Sequence, residues 1–160
     1  MIAEKMMVTN IRFAKKDQLI EDVFTQMRAE QLRMLPVVDN EHHVVGVVST
    51  FDILEHIVPD YVASGDLKQI SYAPDMGILK RNFITVRTQT VAEVMNPSPL
   101  LVRPEDALLS VAADLCSHGR HEYALVVDKE KKLLGIVSAG DILGRLKQKE
   151  LEGALEANHA

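Results

Sequence analysis

The sequence predicts a mixed α/β (α+β) chain in which one β-α-β-β-α unit occurs twice. Three observations carry this reading. The chain matches itself at a constant offset, each copy holds one stretch with apolar residues at helical spacing, and two short apolar runs of strand character follow it. The offset is 89 residues, placing Ser49 on Ser138. Ile2-Ala3-Glu4-Lys5-Met6 then falls on Val91-Ala92-Glu93-Val94-Met95, and Asp17 and Leu19 fall on Asp106 and Leu108. Val37-Val38-Asp39, Gly46-Val47-Val48-Ser49 and Asp52-Ile53-Leu54 fall on Val126-Val127-Asp128, Gly135-Ile136-Val137-Ser138 and Asp141-Ile142-Leu143. The register runs from residue 2 to residue 57 without a gap.

A short helix opens each copy, at Ala3–Met7 and Val91–Met95, the second with Thr90 and Glu93 spaced as a capping box. Short strands follow at Ile11–Phe13 and Leu100–Val102. Leu19, Ile20, Val23, Phe24 and Met27 mark one face of a helix, as do Leu108, Leu109, Ala112, Leu115 and Cys116 in the other copy. Pro104 fits the first turn of that second helix, where a missing N–H costs nothing, beside acidic Glu105 and Asp106. Two β-rich runs come next, Leu35–Val38 with Val44–Val48 and Ala124–Val127 with Leu133–Val137. The polar stretches between them, residues 39–43 and 128–132, read as hairpin turns. A final helix follows the serine of each copy, at Thr50–Ile57 and Ala139–Lys147. A unit of about 55 residues is marginal alone, so the two copies are expected to pack sheet against sheet about a pseudo-twofold axis. The expected organisation is 1–57 for copy one, 58–90 for a connector with one short helix, 91–146 for copy two, and 147–160 for a charged helical tail.

Composition narrows the function classes. Net charge is −5 and there is no tryptophan, which argues against a nucleic-acid binder needing clustered cations or aromatic platforms. The longest apolar stretches fall far short of the roughly 20 residues of a membrane helix. No basic segment followed by an apolar run marks a signal peptide. The single cysteine, Cys116, forms no internal disulfide and suits a reducing compartment, so a cytoplasmic protein is expected. Its match to Met27 makes it a core filler. The pairs His118/His121 and His42/His43 lack the thiolates or carboxylates of a zinc site, and no metal is expected. No nucleophile–base pair, P-loop or dinucleotide fingerprint is present, and the chain is read as not an enzyme.

Leu35-Pro36-Val37-Val38-Asp39 followed by Gly46-Val47-Val48-Ser49-Thr50-Phe51-Asp52-Ile53-Leu54 resembles the signature of a cystathionine-β-synthase-type (CBS) motif. Leu125–Asp128 and Gly135-Ile136-Val137-Ser138-Ala139-Gly140-Asp141-Ile142-Leu143 resemble it again, as does the opening Val91–Pro97. The resemblance covers residues 2–57 and 91–146. It implies a tandem regulatory module that binds AMP, ADP or ATP in a cleft between the repeats, forms a homodimer and signals to an effector protein.

Chemistry gives the motif a sense of its own. In Gly-x-x-Ser-x-x-Asp a strand runs into a helix start, where a serine hydroxyl and first-turn N–H groups suit phosphate. An ionised aspartate has only acceptor oxygens and suits the paired hydroxyls of a ribose. The expected ligand groups are Ser138, Gly140 and Asp141 in copy two and Ser49, Thr50 and Asp52 in copy one. Gly140 leaves room beside Asp141, whereas Phe51 crowds Asp52, which favours the copy-two cleft. The resemblance adds Leu32, Arg33 and Met34 with His121, Glu122 and Tyr123 as the adenine wall. Arg33, His118, Arg120 and His121, with Lys80 and Arg81 on the connector, are the cations available for phosphate. The other reading of Ser-x-x-Asp is a plain capping box. On that reading the chain is a ligand-free dimerisation and protein-interaction module.

Overall fold

In the computed structural model, residues 1–60, 75–117, 122–146 and 148–159 are described. The elements in chain order are α1 (Ala3–Met6), β1 (Ala14–Lys15), α2 (Ile20–Ala29), β2 (Met34–Val38), β3 (Val44–Ser49), α3 (Thr50–Ile57) and α4 (Asp75–Val86). There follow α5 (Val91–Val94), β4 (Leu101–Val102), α6 (Leu108–Ser117), β5 (Tyr123–Val127), β6 (Leu133–Ser138), α7 (Ala139–Arg145) and α8 (Gln148–His159). The first strand of each copy is shorter than expected. In copy one it lies C-terminal to Ile11–Phe13.

The strands form two three-stranded sheets, β1-β2-β3 and β4-β5-β6. In each sheet the first pair is parallel, with a helix in the crossover, and the second pair is an antiparallel hairpin. The middle strands are buried on both faces over Leu35–Val38 and Ala124–Val127. The hairpin partners alternate buried and half-buried, so one face only is covered. The hairpin turns are tied by aspartates. Asp39 Oδ1 accepts from the N–H groups of Glu41 and His43, both at 2.9 Å. Asp128 Oδ1 accepts from Glu130 and Lys132 at 2.8 and 2.9 Å. The His43 and Lys132 N–H bonds are the main reason both carboxyls titrate below the ordinary aspartate value.

The chain divides into two compact units that cut across the sequence copies. One is contiguous, Arg12–Ser98; the other is split, Met1–Ile11 with Pro99–Ala160. The opening helices are exchanged. In the split unit α1 docks beside copy-two strands: Ala3 N donates to Asp106 O at 2.9 Å, and Val8 and Ile136 pair through both backbone bonds. In the contiguous unit α5 docks beside copy-one strands: Val91 N donates to Gln18 O at 2.8 Å, and Asn96 pairs with Val47 in the same way. The two hairpins admit these segments through glycine. A methyl group on Gly46 would stand 2.6 Å from Met95 Sδ and 2.8 Å from Asn96 O. On Gly135 it would stand 2.7 Å from Met7 Sδ.

Each unit has its own core. Ala14, Ile20, Val23, Met27, Leu35, Val37, Val48, Ile53, Val86, Val91 and Val94 fill the contiguous one. Ala3, Val102, Val111, Leu115, Ala124, Val126 and Val137 fill the split one. The helix α4 belongs to the contiguous core. Val86 is buried there, Phe83 meets Phe24 edge-on with ring centroids 6.0 Å apart, and Asn82 Nδ2 donates to Ile57 O at 2.7 Å, capping the end of α3.

The backbone pairing corrects the ungapped register. Ala3 corresponds in place to Val91, Met7 to Met95, Gln18 to Asp106, Ile20 to Leu108 and Met27 to Leu115, all at an offset of 88. Gln18 and Asp106 close equivalent turns, accepting from Lys15 N and Arg103 N, each at 2.8 Å. From the middle strands onward the offset is 89. Copy two therefore carries one more residue between its long helix and the next strand, 118–122 against 30–33. The α6 face turns accordingly. Val111 and Leu115 are buried, while Leu109 is 84% exposed and Cys116 is exposed. Cys116 takes the place of Arg28, not of Met27, so it is not a core filler. Pro104 lies in the turn before α6 rather than in its first turn.

Candidate functional site

The shared plan of the two units brings the end of each hairpin to the start of the following helix. In the contiguous unit Met34 pairs with Ser49 across the strands, and Thr50 N donates to Arg33 O at 3.0 Å. Arg33, Met34, Ser49, Thr50 and Asp52 therefore share one corner, with Leu32 just before the strand. In the split unit Tyr123 pairs with Ser138, and Ala139 N donates to Glu122 O at 3.1 Å. Glu122, Tyr123, Ser138, Gly140 and Asp141 share the equivalent corner. His118, Arg120 and His121 lie outside the described residues. Lys80 and Arg81 are exposed on α4.

Both Ser–Asp pairs form capping boxes. The tightness differs. Ser49 N and Ser49 Oγ both donate to Asp52 Oδ2, at 2.8 and 2.9 Å, and Asp52 N returns a bond to Ser49 Oγ at 3.0 Å. In the split unit Asp141 N donates to Ser138 Oγ at 2.9 Å, but Ser138 N reaches Asp141 Oδ2 only at 3.3 Å. No bond from the Ser138 hydroxyl to Asp141 is formed, which leaves that proton available to another acceptor. Asp141 Oδ1 has no protein donor among the described residues.

The corner of the split unit opens on a cleft of about 470 Å³, lined by Lys5, Met6, Gly140, Asp141, Gly144 and Arg145. Asp141 and Gly140 were legible in the motif. Lys5, Met6, Gly144 and Arg145 were not, because Lys5 and Met6 reach this cleft only through the exchange of opening helices. The equivalent positions of the contiguous unit are Glu93, Val94, Phe51, Asp52, Glu55 and His56. Of these Glu93 is held by the α5 cap, its Oε2 accepting from Thr90 N at 2.8 Å, and Phe51 is 66% exposed. Among the described residues no cluster of three or more His, Cys, Asp or Glu side chains is arranged to hold a metal. No helix among them is long and apolar enough to cross a membrane.

The CBS domain model matches residues 3–59 and 91–148. A curated relative, the chloroplastic CBS domain-containing protein CBSX2 of Arabidopsis thaliana, is 27% identical over 84% of the chain and 58% of that protein. Inosine-5'-monophosphate dehydrogenase of Aquifex aeolicus is 25% identical over 91% of the chain but only 24% of the enzyme. The chain thus spans little more than half of the first of these relatives and a quarter of the second. Among solved structures, CBSX2 in complex with AMP superposes with a TM-score of 0.67 at 24% identity, over 98% of each chain. The CBS domain of a CBS domain-containing membrane protein from Sphaerobacter thermophilus gives 0.66 at 25% identity, over 89% of this chain and 86% of that one. The matched segments are the two that repeat in the sequence and make up most of it, and the chain belongs to the CBS domain family.

Proposed function

We propose that the chain is a regulatory module that binds an adenosine nucleotide of the AMP, ADP or ATP type and passes the binding event to an effector protein. The observation that carries this reading is the Ser138–Gly140–Asp141 corner. It offers a hydroxyl proton not spent on its own cap, an open backbone and a carboxylate oxygen without a protein donor among the described residues, all beside a cleft. CBSX2, solved in complex with AMP, supports the ligand class. The adenosine nucleotide acts as a regulatory ligand, with no cofactor, and the module is not an enzyme. Its likeness to inosine-5'-monophosphate dehydrogenase touches only a quarter of that enzyme. Homodimerisation is part of the reading, supported by exposed Phe51 and Leu54 on α3 and Leu143 on α7. A cytoplasmic location is supported by a single cysteine with no internal partner.

A second reading has a specific observation in its favour: both Ser–Asp pairs already serve as helix caps. Under it the chain is a ligand-free interaction module. Thermal unfolding with AMP, ADP and ATP, on wild type and Asp141→Ala, separates the two. Each protein is referenced to its own ligand-free midpoint, since the substitution also weakens a cap. A ligand at about a hundred times its dissociation constant adds about 2.7 kcal/mol, or roughly 5–10 °C at this size. A shift in wild type that vanishes in Asp141→Ala supports the sensor. Flat curves for every nucleotide, with a stable dimer, sink it in favour of the interaction module.

A further inference from the structure

The two units share a strand order but differ at the corner that follows each hairpin. Around the shared aspartate, four positions change together. Phe51 and Glu55 of the contiguous unit are replaced by Gly140 and Gly144 in the split unit, and Glu93 and His56 by Lys5 and Arg145. Two changes remove side-chain bulk and two replace an acidic or neutral group with a cation. The result in the split unit is the cleft of about 470 Å³, with an ammonium on α1 and a guanidinium on α7. Neither cation forms an ion pair among the described residues. Packing does not demand either, for both are exposed. In a chain of net charge −5, two cations on separate elements facing one cleft are a local reversal of sign.

We propose that Lys5 and Arg145 form an anion clamp that holds the phosphate of the nucleotide, and that this clamp confines phosphate recognition to the split unit. The inference rests on the nucleotide-binding reading above and adds its specificity determinants. Arg145 supplies a planar fork suited to phosphate oxygens, and Lys5 a mobile point charge. Asp141 would repel a phosphate placed against it, so the sugar hydroxyls fall to the carboxylate and the charge to the cations. Because Lys5 belongs to the opening helix, the ligand would also fasten residues 3–7 to α7.

The test compares AMP with adenosine, by calorimetric titration of the full chain. Removing either cation is expected to weaken phosphate binding about tenfold. Wild type should therefore bind AMP at least about tenfold more tightly than adenosine. The double variant Lys5→Met/Arg145→Met, which keeps both stems at exposed positions, should bring that ratio close to one. Lys5→Glu, which restores the charge of the contiguous unit, should also lower it. Amide exchange at residues 3–7 should slow with AMP in wild type and not in the double variant. An AMP-to-adenosine ratio near one in wild type overturns the clamp, as does a ratio unchanged by the double variant. In both cases nucleotide binding that Asp141→Ala abolishes leaves the functional reading standing. If wild type binds neither adenosine nor AMP, the clamp and the functional reading fall together.

Discussion

The contiguous and split units are two solutions to one packing problem, and they diverge in what their shared motif is free to do. Both close a three-stranded sheet with an exchanged opening helix, and both cap the helix after the hairpin with a Ser–Asp pair. In the contiguous unit the pair is closely knit: Asp52 Oδ2 takes two bonds, one of them from the Ser49 hydroxyl, and Phe51 precedes it in the chain. In the split unit the same pair is slack, and glycines flank it. A capping box is thus no evidence against ligand binding, since one copy of a motif can commit its serine proton to its own helix cap while the other keeps that proton in reserve.

The comparison can be broken most severely in the cores. Met27→Ala should cost about 2–5 kcal/mol, as deletion of a buried side chain does. Cys116→Ala, at the position matched to Met27 by sequence, should change stability by less than about 0.5 kcal/mol. Urea unfolding of the two variants measures this, and comparable losses would restore the ungapped register. The next effect concerns the seats of the exchanged helices. Gly46→Ala meets the carbonyl oxygen of Asn96, which the strand bridge holds, and should cost about 1–3 kcal/mol. Gly135→Ala meets the Met7 side chain, whose Sδ and Cγ can turn aside but whose Cβ, at 3.0 Å, cannot, and should cost less than Gly46→Ala, about 1 kcal/mol. Equal losses would mean that the two seats are equally rigid. The smallest contrast is at the caps. Ser49→Ala should lose about 1 kcal/mol and Ser138→Ala about half of that, because the looser box has less to lose. The reverse order in thermal unfolding would show that the slackness of the Ser138 box is not a property of the ligand-free chain.

Much of this fold was legible because the strands are written in local residues. Leu35–Val38, Val44–Val48 and their copies are apolar runs bounded by polar turns, and they fold within two residues of where the pattern places them. The register error has a local cause too. Ala3-Glu4 and Ala92-Glu93 match in type at an offset of 89, as do Leu19 and Leu108, so coincident letters hid a one-residue insertion. Periodicity does not separate the two registers, since Leu109, Ala112 and Cys116 share the spacing of Ile20, Val23 and Met27; burial does, with Val111 and Leu115 inside and Leu109 and Cys116 exposed. The exchange of α1 and α5 was not legible, because no periodicity reports which distant strand a short helix will choose. That is why Asp141 was found from the motif and Lys5 was not. A helix in the connector follows from its residues, but its role in the contiguous core, through Phe83 and Val86, depends on tertiary packing that spacing does not encode.

The exchange of opening helices also sets an order of events during synthesis. All of the contiguous unit has left the ribosome once residue 98 has emerged, so its sheet can close on α5 at once. The split unit must hold its first eleven residues in waiting until Ile136 arrives to pair with Val8. Its closure joins Val8 to Ile136 across the whole contiguous unit and carries the larger loop entropy, though only logarithmically so. A nascent chain stalled between these points would expose one finished unit and an unclaimed α1, with Ala3, Met6 and Met7 still lacking the core they pack against.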